Sequence, residues 1–180
     1  MTMQLGAVHE LLHDDADAAA DRLLRLQDAA RDALDTVRRV SHGLRPPALD
    51  ELGLAGALRQ LAESLGLSVS FVDDGPLRLP AAVEVAAYLI GAEALYNVAR
   101  HSGVAAAEVS LTMDAGDLEI RVADDGCGVD GDRPVGVGLQ AMRERADELA
   151  GSLEVRSAAG RGTTVTARLP GSVVEPEVAR

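Results

Sequence analysis

Apolar residues recur along this chain in a changing rhythm, and the changes of rhythm divide it into elements. Met1, Leu5, Val8 and Leu12 are spaced by fours and threes, which predicts a first helix ended by the polar turn His13-Asp14-Asp15. Leu23, Leu26, Ala30, Ala33, Val37, Val40 and Leu44 continue the alternation as an a/d seam over three heptads. That seam predicts a helix from about Asp17 to Leu44. A narrow seam of this length fits a helical hairpin that dimerises; one amphipathic helix lying on a globular core is the plainer alternative. Arg45-Pro46-Pro47 ends the helix, because a residue before proline is pushed out of the helical region. A domain boundary is expected there.

Beyond the prolines the elements shorten. Leu54–Leu65 reads as a helix, Val69–Val72 as a strand and Asp73-Asp74-Gly75-Pro76 as a turn. Pro80 opens a strong helix to about His101, with Val83, Ala87, Ile90, Ala94 and Val98 on one face. Strands at about Ala107–Met113 and Leu118–Ala123 flank Asp114-Ala115-Gly116-Asp117, a hairpin signal. A loop over Asp125–Val137 leads to a helix from Gly138 to Ala150 capped by Gly151. Strands at Leu153–Ser157 and Thr163–Leu169, joined by Ala158–Gly162, complete the pattern. The expected fold class is α/β, a two-layer sandwich of helices on a mixed, mostly antiparallel sheet. The expected division is 1–45 for the helical hairpin, 46–170 for the sandwich and 171–180 for a frayed tail.

Composition narrows what such a fold could do. The chain has 180 residues, 47% of them hydrophobic, drawn mainly from Ala, Leu and Val. Phe71, Tyr88 and Tyr96 are its aromatics. A net charge of -12 argues against direct nucleic-acid binding, which needs clustered cations. All 17 cationic side chains are Arg, so a P-loop with its lysine is excluded. Any nucleotide site must use glycine amides, Arg, His or a metal such as Mg²⁺, which would also offset the acidic charge. Cys127 is the lone cysteine, which leaves neither a disulfide framework nor a cysteine zinc site. No apolar run approaches membrane-spanning length and no signal peptide opens the chain, so a soluble, cytoplasmic location is expected.

Four patches carry candidate chemistry. Glu93, Asn97 and Arg100 share one helix face at i, i+4 and i+7, where they could hold Mg²⁺ and a triphosphate or form a solvated polar face. Asp124 ends a strand before Gly126-Cys127-Gly128; it could accept a hydrogen bond from an adenine amine or belong to a plain Asp-Gly turn. Gly136-Val137-Gly138 precedes a helix, whose N-terminus can meet phosphate. With Ala141 and Glu154 it also imitates a dinucleotide fingerprint. That reading needs a strand before the first glycine, and Asp130-Gly131-Asp132-Arg133-Pro134 is not one. Gly160-Arg161-Gly162-Thr163-Thr164 lies between two strands and, alone, would be a hairpin loop.

Taken in order, the patches resemble the N, G1, G2 and G3 boxes of the ATP-binding domain of sensor histidine kinases, the Bergerat fold shared with gyrase, Hsp90 and MutL-type ATPases. The stretches His42-Gly43-Leu44-Arg45-Pro46-Pro47 through Leu54, and Gly138-Leu139-Gln140-Ala141-Met142-Arg143-Glu144-Arg145-Ala146, are similar to the subgroup with short two-helix dimerisation domains. The resemblance implies Asn97 as Mg²⁺ ligand and Asp124 as reader of adenine, with Gly126 and Gly128 lining the base pocket. It implies Gly136, Gly138 and Leu139 at the phosphate loop beside a short lid, Val129–Val135. Gly162 and Thr163 match the G3 contacts, and Thr164 a further polar contact. Arg100 and His101 fall near the phosphates, and Glu93 matches the N-box acid, the candidate catalytic group.

The implied partners are a second copy through helices 1–44 and a response regulator of the NarL/LuxR type, with any membrane link through segments upstream. By the family's usual helix lengths, the phosphoacceptor His is expected several residues before Met1. His13-Asp14 imitates the acceptor dipeptide but lies in the inter-helix turn, and His9 is followed by Glu10 rather than Asp. The expectation is therefore an ATP-binding catalytic portion that phosphorylates a histidine outside this chain. Alternatives are a non-catalytic dimerising module that sequesters a partner, and an anti-sigma-type serine kinase. The Arg-Pro-Pro segment and helical hairpin argue against the latter.

Overall fold

The computed structural model describes residues 45–75, 77–128 and 137–171. The heptad seam, the His13 turn, the lid over Val129–Val135, Gly136 and the tail after Gly171 lie outside the described residues.

Helix α1 (Pro47–Ser64) begins with proline at a first-turn position, where a missing N–H costs nothing. It starts seven residues, about two turns, before the helix expected from Leu54. Gly53 explains the difference: at φ 66 and ψ 179 it kinks the chain between two helical pieces. The first piece is tied down by Arg45, whose Nε donates to Asp50 at 2.5 Å and whose Nη2 donates to Glu84. The hydrogen bond to Glu84 is also the main reason that the pKa of Arg45 is raised.

Strand β1 (Ser68–Asp73) leads to helix α2 (Ala81–Asn97), which follows Pro80. The expected apolar face of α2 is its buried face: Val83, Ala87, Ile90 and Ala94 are all within the core, as is Val98 just beyond. The α-helix stops at Asn97 rather than running to His101. Val98–Ser102 winds into one π-helical turn, closed by Gly103 at φ 73. Ser102 Oγ donates to the Val98 carbonyl at 2.7 Å, which satisfies a group that the wider turn leaves behind. Among the described residues, Ala81–Ser102 is the one helical stretch long and apolar enough to cross a membrane, and half of it is buried inside the fold.

Strands β2 (Ala106–Asp114) and β3 (Asp117–Asp124) form the expected hairpin. Its two central residues, Ala115 at φ 52 and Gly116 at φ 96, both have positive φ, the geometry of a type I′ turn. Helix α3 (Val137–Asp147), β4 (Ser152–Ser157) and β5 (Thr163–Pro170) follow. Helix α3 ends at Asp147, three residues before the expected Ala150, and the left-handed residue beyond it comes one position earlier than the expected Gly151. Ala150, not Gly151, takes the left-handed conformation at φ 55, while Gly151 N–H reaches back to the Ala146 carbonyl at 2.9 Å. Glycine is needed at 151 for another reason: a Cβ there would lie 2.4 Å from the Arg168 carbonyl oxygen on β5.

The sheet order is β1-β2-β3-β5-β4, with β1 and β2 parallel and the remaining pairs antiparallel. This is the mixed, mostly antiparallel sheet expected. One face carries Val109, Leu111, Leu118, Ile120, Val165, Ala167 and Leu169, all buried with α1, α2 and Met142 of α3 in a single core. The opposite face is polar and carries the ion pairs Arg121–Glu108 and Arg168–Glu119. The alternation follows from the two-residue period of a strand.

Candidate functional site

A cleft opens to solvent between α2, α3 and the β3–β5 half of the sheet. Asn97 and His101 line it from α2 and its π turn, and Asp124 and Gly128 from the end of β3. Leu139 enters from α3 and Thr163 from β5, so residues of all four polar patches meet there. Ala94, Val98, Val122, Met142, Val155 and Val165 make the rest of the wall largely apolar.

The three loops around the cleft are laced by backbone. Cys127 N–H donates to the Ser102 carbonyl at 2.7 Å, and its thiol donates to the His101 carbonyl at 3.0 Å. On its other side, Gly160 N–H reaches the Cys127 carbonyl at 2.6 Å and Gly162 N–H the Gly126 carbonyl at 2.9 Å. These contacts state why glycine stands at three positions. A Cβ on Gly126 would lie 2.3 Å from the Ser102 oxygen, one on Gly128 2.0 Å from the Ala158 oxygen, and one on Gly162 1.9 Å from the Asp124 oxygen. Gly126 and Gly162 are buried in this lacing and are not among the residues lining the cleft; Gly128 is.

Asp124 is half-buried at the end of β3, directly opposite Thr163 in the antiparallel register. Its Oδ1 accepts the Gly126 N–H at 2.8 Å, which orients the carboxylate while leaving acceptor capacity for a ligand donor. Thr163 is held in turn: its Oγ1 lies 2.8 Å from Ser157 Oγ, and that hydroxyl also donates to the Gly162 carbonyl at 3.1 Å. Ser157 and Ser102 were missed from sequence. Their one visible signal is position, each a small hydroxyl residue at the end of an element facing a glycine loop.

The remaining expected residues fall elsewhere. Thr164, one step along β5, pairs with Ala123 and Arg156 and sits on the opposite side of the sheet from Thr163. Arg100 is not among the lining residues; its guanidinium lies 5.9 Å from the centre of the Tyr96 ring. Glu93, one helical turn before Asn97, is also set back from the cleft, with its carboxylate against Gly138 at the start of α3. No group of three or more His, Cys, Asp or Glu side chains forms a metal cluster among the described residues.

Residues 82–173 match the family described as histidine kinase-, DNA gyrase B-, and HSP90-like ATPase, and residues 1–49 match the HisKA_3 histidine kinase family. The chain is 37% identical to the sensor histidine kinase MctS of Rhizobium johnstonii over 91% of its own length and 37% of that protein. It is 34% identical to the oxygen sensor histidine kinase NreB of Staphylococcus carnosus, over 87% of this chain and 47% of NreB. Identity to the sensor histidine kinase NarS of Mycobacterium tuberculosis is 36%, over 92% of this chain and 41% of NarS. The chain thus spans less than half the length of each. Among solved structures, the histidine kinase domain of the Erythrobacter litoralis EL346 blue-light activated kinase superposes with a TM-score of 0.61. At 20% identity, covering 94% of this chain and 93% of that one, it shows a shared fold.

Proposed function

This chain belongs to the histidine kinase-, DNA gyrase B-, and HSP90-like ATPase family, and on that premise we propose that it is the ATP-binding catalytic portion of a bacterial sensor histidine kinase. The observation that carries the proposal is the meeting of Asn97, Asp124, Leu139 and Thr163 in one cleft from four separate stretches of chain. The match of residues 1–49 to a histidine kinase family supports a kinase over the other ATPases that share the fold.

Each residue then has a task. The Asp124 carboxylate accepts the exocyclic amine of adenine, a charge-assisted bond worth roughly 1.5–3 kcal/mol. Val122, Met142, Val155 and Val165 enclose the base and exclude water. The first amides of α3, from Gly138 and Leu139, face the phosphates with the positive end of the helix dipole. His101, which lines the cleft, adds a donor on the α2 side. The donor set suits Mg²⁺, which keeps several waters and needs only one or two protein oxygens beside the phosphates; the Asn97 side chain would hold it, and it would neutralise the triphosphate of an acidic protein. Glu93 is the carboxylate available to take the proton of an acceptor imidazole.

The γ-phosphoryl passes from the bridging oxygen of ATP to an imidazole nitrogen, and ADP leaves with the bond electrons. Positioning and charge neutralisation do most of the work. The phosphoryl group is then relayed to an aspartate of a response regulator, of the NarL/LuxR type. The chain acts as a homodimer through residues 1–44, on the cytoplasmic side of any membrane to which the longer protein is tied.

Two measurements on the full chain test this. Titration calorimetry should show Mg²⁺-dependent ATP binding. Radiolabelled phosphate from ATP should then appear on a kinase chain that keeps its acceptor histidine but has a dead ATP site. Binding without transfer would leave a nucleotide-binding module that is not a kinase, and absence of binding would overturn the whole reading.

A further inference from the structure

A methyl group placed on Gly138 would meet one residue first. Its three nearest atoms are Oε1 of Glu93 at 2.0 Å, Cδ at 2.9 Å and Cγ at 3.4 Å, all from the same side chain. Gly138 has no positive φ, so its backbone does not demand glycine. Nor does it have a backbone neighbour as close as those that exclude Cβ atoms at Gly126, Gly128 and Gly162. Gly138 lies in the first turn of α3, and Glu93 lies on α2 one turn before Asn97. The carboxylate therefore rests against the positive end of the α3 dipole, where an anion is favoured.

We propose that Gly138 is a positioning residue that acts through Glu93: the bare Cα of Gly138 on α3 is the surface against which the Glu93 carboxylate is set. The inference deepens the kinase reading and rests on it for the role of Glu93. A side chain at 138 would not unfold the domain, because the group in its way is the far end of a flexible side chain. It would move the Glu93 carboxylate away from the start of α3, one turn from Asn97.

The test uses the full chain with two readouts. The first is the carboxyl ¹³C resonance of Glu93, identified by its loss in Glu93→Gln. Gly138→Ala should shift it, and an unmoved resonance would overturn the proposal. The second is the rate of phosphoryl transfer to a kinase chain carrying the acceptor histidine. Gly138→Ala should slow transfer at least tenfold. In the Glu93→Ala background, however, the same substitution should change the rate less than twofold, because nothing remains to displace. Glu93→Asp, which withdraws the carboxylate by one methylene, should slow the parent but quicken the Gly138→Ala variant. Rate losses that multiply independently would show that the added methyl acts on the start of α3 and not through Glu93, and would overturn the proposal. If the parent transfers no phosphate at all, the kinase reading fails separately, and the resonance decides alone whether Gly138 holds Glu93.

Discussion

The carbonyl oxygen of Asp124 passes so close to Gly162 that a methyl group on the glycine would lie 1.9 Å from it. Gly162 also sits at φ 70, so two costs fall on one position. Gly162→Ala should destabilise the domain by about 3 kcal/mol, from overpacking together with left-handed strain. The corresponding fall in melting temperature is roughly 10 °C, read by thermal denaturation. A fall of a degree or less would mean that β5 and the Asp124 loop separate freely.

Asp124 itself should be separable from the fold. Its Oδ1 accepts the Gly126 N–H, and the amide oxygen of asparagine can do the same. Asp124→Asn should therefore keep its melting temperature but lose at least tenfold in ATP affinity, equivalent to about 1.4 kcal/mol. Calorimetry decides, and an unchanged affinity removes Asp124 as the reader of adenine.

Asn97 lines the cleft from the last residue of α2. Its replacement by alanine should abolish most of the difference between ATP affinities measured with Mg²⁺ and with a chelator. Persistence of the full metal dependence in Asn97→Ala would make Asn97 a wall residue only.

One substitution should stabilise the protein. Ala115 occupies the first centre of a type I′ turn at φ 52, a conformation that asparagine tolerates and alanine resists. Ala115→Asn should add about 1 kcal/mol and raise the melting temperature by roughly 3 °C. A lower melting temperature would show that the turn relaxes at no cost.

Much of the fold was legible because it rests on local rules. The threes and fours of Val83, Ala87, Ile90, Ala94 and Val98 predict one buried face, and those residues are buried. Asp114-Ala115-Gly116-Asp117 between alternating strands predicts a hairpin, and the register pairs Asp114 with Asp117. Elements end less legibly. The π turn after Asn97 depends on Ser102 and on the loop carrying Cys127, which docks on its carbonyls. The left-handed Ala150 depends on how closely β5 approaches Gly151.

The site divides in the same way. By itself, the sequence determined which residue types were present and in what order, so that four glycine-rich or polar patches could be recognised as one family's pattern. Tertiary structure alone decided which residues of each patch reach the cleft. The register of β3 on β5 puts Thr163 beside Asp124 and sends Thr164 to the other face, since a one-residue step in a strand reverses a side chain. Backbone packing turns Gly126 and Gly162 into contacts between loops, and the approach of α3 to α2 sets Glu93 against Gly138. These are distances between parts of the chain far apart in sequence. Local propensity carries no information about them, because steric exclusion acts only once the layers are stacked.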